Sequence, residues 1–260
     1  MGLSWLKQPL TRNLLFYLLA FGLAILLRPV SQAYLNTVFA NALASYGVAR
    51  GLNALISIMQ ESSVSAGFVV EGTIALGQVL DPINDLLERF SSLLLLSLAS
   101  VGVQTFLLSF GFPLSIAVAL LAFVIGLVAK LSNQAKLSDL MNRGVLAAMF
   151  LLLFIPLTGL FGSLPIGLNQ QYENAQQVFQ ETRQSLEAQY GGVDGDRRWY
   201  ERLDLRQIMN DMRTQTDTII AKVIDLIVVF IVQTLLLPLL TLFVLWQLLL
   251  RSHKFFFDRT

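Results

Sequence analysis

The chain contains no cysteine and a single histidine, His253. The first absence excludes disulfides, thiolate metal sites and cysteine nucleophiles. The second leaves histidine-based acid–base or metal chemistry almost without material. Charge is also scarce: 13% of the 260 residues are charged, where a soluble domain carries about a quarter. The formal net charge is +1, so no overall field favours nucleic acid or an anionic surface. No phosphate-binding glycine loop, HExxH or GxSxG pattern occurs, and no serine–histidine or paired-aspartate set lies inside the apolar segments. The sequence predicts no enzyme activity, no cofactor, no metal and no nucleic-acid partner.

Apolar side chains are what the chain has in abundance, at 55% of residues. Several runs reach the roughly 20 residues that cross a hydrocarbon core, and they are continuous rather than short and alternating, which disfavours a β-barrel. The expected fold is all-α: a polytopic helical membrane protein with about five transmembrane helices and two extramembrane helical hairpins. Its expected location is a bacterial inner (plasma) membrane.

Residues 1–33 form a basic head, with Lys7 and Arg12, followed by an apolar run. Ser31-Gln32-Ala33 resembles a signal-peptidase site, so a cleaved signal peptide competes with a retained first span, and Arg28 sits awkwardly for cleavage. Residues 34–90 read as the first hairpin. Leu35, Phe39, Ala42, Tyr46, Ala49, Leu52, Ile56 and Met59 recur at steps of three or four, which is a helix with one apolar seam. Glu61 to Gly77 reads as a connector or a weak extra span, and Asp81-Pro82 as a helix start. Residues 91–168 read as a three-span bundle, with Gly111-Phe112-Pro113 as a tight reversal and Ser132 to Arg143 as a short basic loop. Residues 169–217 form the second hairpin, around Gly191 to Asp196. Residues 218–260 are the last span with a basic, aromatic tail.

Orientation conflicts with this count. The head, the Ser132–Arg143 loop and the tail should all face the cytoplasm under the positive-inside rule, and five spans cannot place them so. A sixth span at Val64 to Leu80 would repair this, but it buries Glu71 at a cost of roughly a few kcal/mol. Otherwise the rule is violated.

Three polar residues are candidates for an intramembrane or transport role: Glu71, and the mid-span amides Gln104 and Gln233. Amides inside a bilayer seek cross-helix hydrogen bonds, so packing is the plainer reading of the last two. Asp81, Asp85 and Glu88 share a helical face, which reads as solvated rather than as a cation site. Lys222 and Asp225 can pair at the membrane boundary. The seams of the hairpins supply candidate interface residues: Phe39, Tyr46, Leu52, Ile56, Phe179, Leu186, Ile208 and Met212. Such seams pair as coiled coils do. The expected function is therefore that of a non-catalytic multi-pass membrane protein acting through helix-mediated contacts, as an oligomeric scaffold or complex subunit. Its expected partners are the lipid bilayer and either further copies of itself or another membrane protein. The alternative is an ion channel or small-solute transporter component.

Overall fold

The computed structural model describes residues 9–65, 70–164, 168–190 and 205–257. Within these, the side chains of 9, 55, 58–65, 70–80, 168–169, 179, 182–183, 185–190, 205–217, 250 and 252–257 lie outside the description. The described chain is helical almost throughout: α1 (Pro9–Ser65), α2 (Val70–Ser132), α3 (Ala135–Gly162), α4 (Leu168–Tyr190), α5 (Leu205–Ile231), a π turn (Val232–Leu236) and α6 (Leu237–Phe257). All-α architecture follows from the long apolar runs, because a helix alone satisfies its own backbone in lipid. Among the described residues four helices are long and apolar enough to cross a membrane: Leu10–Ala54, Asp81–Ser132, Ala135–Gly162 and Thr218–Leu249.

Four replaces about five because Gly111-Phe112-Pro113 is not a reversal. It lies inside α2, which runs 63 residues without a break, about 95 Å at 1.5 Å per residue. Glycine serves a different purpose there. A Cβ on Gly111 would sit 3.1 Å from Leu151 O of α3, so the missing side chain lets two membrane helices approach. Asp81-Pro82 is likewise interior to α2 rather than its start. The reversal between α2 and α3 is confined to Asn133 and Gln134, where Asn133 takes φ 53°, a left-handed conformation that asparagine tolerates better than most residues. The cleavage-like stretch Ser31-Gln32-Ala33 is also helix interior, in α1.

Two compact units are present. The span unit comprises Met1–Val38, Ser100–Leu164 and Gln233–Thr260. Its core joins Leu35 and Val38 of α1, Val101 and Leu108 of α2, Val145 and Leu152 of α3 and Leu245 of α6. The hairpin unit comprises Phe39–Ala99 and Pro165–Val232. Its core is shared by both hairpins: Leu52 and Ile56 of α1, Leu87 and Phe90 of α2, Tyr172 and Ala175 of α4, Val223 and Phe230 of α5.

Four candidate spans among the described residues are an even number, which is compatible with the basic segments lying on one side. In the span unit, Leu10 lies beside Gly126 and Met141, and Leu249 lies across a groove from Arg143. The start of α1, the α2–α3 turn and the end of α6 therefore share one end of the unit. Arg12, Lys130, Lys136, Arg143 and Arg251 gather at that end.

Candidate functional site: a lone arginine and a polar layer in the span unit

Pro238 starts the polar layer. It has no N–H to give to the carbonyl four residues back, which is that of Thr234, and the π turn lies immediately before it. Hydroxyls of two other helices reach these carbonyls. Tyr34 OH donates to Gln233 O at 3.1 Å, and Ser100 Oγ donates to Thr234 O at 2.8 Å. One turn away, Ser31 Oγ donates to Pro156 O at 2.9 Å, where α1 and α3 touch through Gly159. Nearer the basic end, Asn13 Nδ2 donates to Asn142 Oδ1 at 2.6 Å, and Ser115 Oγ donates to Ala148 O at 2.8 Å. Every one of these bonds joins two helices, as polar side chains between membrane helices do.

Gln104 and Gln233 are both buried in this unit. Gln233 belongs to the π turn. Gln104 Nε2 reaches Ser100 Oγ at 3.4 Å, and its Oε1 is buried without a hydrogen-bond partner. An orphaned buried acceptor costs about 1–3 kcal/mol. Gln104→Leu should therefore leave the thermal midpoint in detergent unchanged or raise it. A fall of more than a few degrees would show that the amide has a structural role these contacts do not account for. Glu71, the third candidate of this kind, has its side chain outside the described residues.

The interface candidates divide. Leu52 and Ile56 are fully buried in the hairpin unit's own core, Tyr46 packs against that core, and Phe39 is exposed. Phe179, Leu186, Ile208 and Met212 have side chains outside the described residues. The seam of α1 is thus consumed within the chain at two of the four positions that can be placed. Tyr172 holds the hairpins together from α4: its ring meets Phe230 edge-on at 6.0 Å, and its OH donates to Asn41 O at 3.3 Å. Burial pushes its hydroxyl above the usual phenol range, opposed by a hydrogen bond with Ser45. Asp85 pairs with exposed Arg89 at 2.9 Å, and Lys222 with Asp225 at 3.1 Å. Among the described residues no three His, Cys, Asp or Glu side chains come together as a metal site.

Arg28 is the residue that sequence reasoning passed over. It lies in α1, about 24 Å along the helix from Arg12 at 1.5 Å per residue, and it is exposed. Exposed large apolar side chains flank it from Leu14 to Leu43. Its guanidinium sits 5.0 Å from the centroid of the Phe112 ring. That cation–π contact contributes about 0.5–2 kcal/mol, less than the roughly 2.5–3.5 kcal/mol or more that a charge costs deep in a bilayer. No carboxylate of the spans can balance it: no Asp or Glu occurs at 1–60, 89–138, 140–172 or 226–257. The signal was legible, since a charge inside an apolar run is a functional-site hypothesis by default. Read beside Ser31-Gln32-Ala33 alone, Arg28 signifies only an obstacle to cleavage. Compared with family models, with curated proteins and with solved structures, the chain matches none.

Proposed function

We propose that this integral membrane protein is non-catalytic and acts through helix-mediated contacts, as a subunit of a membrane complex. The observation that carries the reading is Arg28, an exposed arginine among exposed apolar side chains. Its charge calls for a counter-charge at its own depth, and the chain's spans hold none there. A second copy carries its span carboxylates, Asp81, Asp85, Glu88, Asp139 and Asp225, at the same distance along the helices from this depth, so the reading favours a different membrane protein whose span bears an aspartate or glutamate there. The test is complex size after mild extraction from the native membrane, followed on native gels. Arg28→Leu should lose the larger species and Arg28→Lys should retain it. A complex of undiminished size in Arg28→Leu would refute the reading.

The location we infer is a bacterial inner (plasma) membrane with the basic end of the span unit in the cytoplasm. Support comes from the positive-inside rule applied to Arg12, Lys130, Lys136, Arg143 and Arg251. Asn174 of α4, exposed and beyond the third candidate span, then faces the opposite compartment. The cysteine-free background makes this simple to check. A membrane-impermeant maleimide added to intact cells, with the outer membrane permeabilised where there is one, should label Asn174→Cys. It should label Ser132→Cys only after lysis of the inner membrane. The reverse pattern would invert the assignment.

A further inference from the structure

On the outside of the span unit, α3 and α6 leave a groove of about 690 Å³ between them. Ligand clefts occupy roughly 300–1,000 Å³. Leu146, Phe150 and Leu151 of α3 and Trp246 and Leu249 of α6 form its walls. The Phe150 and Trp246 rings meet edge-on at 6.4 Å and 89°. One lining residue carries a charge: Arg143, at the end of the groove where the basic residues gather. An occupant that fits is apolar along its length and anionic at one tip.

We propose that this groove is a binding site for an anionic phospholipid, with an acyl chain laid between α3 and α6 and the phosphate at Arg143. Three observations on the groove agree. It opens to the surroundings of a membrane-spanning pair, so lipid is its nearest apolar neighbour. Its polar end coincides with the basic end of the unit, where headgroups lie when the spans are in a bilayer, and Trp246 is the kind of residue enriched near that level. Arg143 is free to exchange partners: its bond to Asp139, 2.8 Å long, joins side chains that are 72% and 46% exposed, and exposed pairs of this kind are weak. A guanidinium holds phosphate through two parallel N–H donors. A second copy of the chain is the poorer occupant, because it would bring its own cluster of basic residues against this one.

Tryptophan quenching tests the site. The chain has three tryptophans, so Trp5→Phe with Trp199→Phe leaves Trp246 as the sole reporter. The full-length protein is reconstituted in vesicles of phosphatidylcholine with increasing brominated phosphatidylglycerol, and separately with brominated phosphatidylcholine. Trp246 should be quenched with about a fivefold preference for the anionic lipid, the factor that one basic residue contributes near a charged surface. Arg143→Gln should abolish the preference while leaving helical circular dichroism unchanged. Asp139→Asn should increase the preference, because it removes the carboxylate that competes with phosphate, and a purely structural role for Arg143 would not produce that gain. Equal quenching by both lipids, a preference that survives Arg143→Gln, or a preference that falls in Asp139→Asn would each overturn the proposal. Failure of either lipid to quench Trp246 would also overturn it, and would place protein rather than lipid in the groove.

Discussion

Replacing Gly159 with valine should drive α1 and α3 apart and leave the span unit several kcal/mol less stable. A Cβ at this position would fall on the backbone and hydroxyl of Ser31, and backbone cannot rotate out of the way. Overpacking of this sort costs about 1–3 kcal/mol. Separation of the helices also breaks the 2.9 Å bond from Ser31 Oγ to Pro156 O, a further net loss of about 0.5–1.5 kcal/mol, with the hydroxyl left on Leu27 O of its own helix. Gly159→Ala should already be destabilising for the same reason. Gly102 supplies the control. It lies in the same unit with nothing within 4 Å of where a Cβ would stand, so Gly102→Ala should be neutral or stabilising by up to about 1 kcal/mol through helix propensity. Unfolding in detergent titrated with dodecyl sulfate measures both. Equal midpoints for the two alanine variants would remove the close approach of α1 and α3 from the account.

The second large effect is expected at Leu52. Its side chain is wholly buried among those of α1, α2, α4 and α5 in the hairpin unit. Leu52→Asp removes that burial, worth about 2–5 kcal/mol, and leaves a carboxylate in apolar surroundings without a partner. A group so placed either stays charged at high cost or takes up a proton. The unit should lose its fold, seen as reduced helical circular dichroism and as rapid proteolysis of the hairpins. Leu52→Met conserves volume and should cost less than about 1.5 kcal/mol. The seam read from sequence points to a milder outcome for a charge at such a position: an oligomer that dissociates into folded subunits. Intact helicity with a smaller assembly would favour the seam reading over the packing described for Leu52.

Much of this architecture was legible because burial in lipid leaves the backbone little choice. Apolar runs near 20 residues became helices, and the stepwise recurrence of Ala42, Ala49, Leu52 and Ile56 became a buried face. The errors came from applying rules for water to residues in a membrane. Gly-Phe-Pro signals a turn where solvent can satisfy the freed backbone. Inside a span the same three residues continue the helix, and the glycine admits Leu151 O at close range. Reading those three residues as a reversal splits the single candidate span Asp81–Ser132 into two, and the odd count that follows is what the positive-inside rule resists. The union of the two hairpins into a single core could not be seen either, since periodicity shows that a helix has an apolar face and not which helix covers it. For the site, Gln104 and Gln233 read from sequence as mid-span amides, and both lie buried in the span unit. The hydroxyl partners of the π turn were not legible, because Tyr34 and Ser100 carry no local mark of a contact so distant in sequence.

The five-residue widening ahead of Pro238 has a consequence for anyone drawing a helical wheel. A uniform helix turns about 100° per residue, so a stripe begun at Ile219, Val223, Leu226 and Phe230 would continue inward through Val244 and Leu248. Those two side chains are instead exposed, and Leu245 and Leu249 are buried in their place. Past the turn, burial recurs at every fourth residue, Leu237, Thr241, Leu245 and Leu249, so a single wheel drawn through 219–249 places the first two correctly and misplaces the last two. Excising a single residue between Val232 and Leu236 should take out the widening and leave the faces of α6 as they are: with one residue fewer ahead of them, Leu245 and Leu249 fall where a uniform helix turns inward.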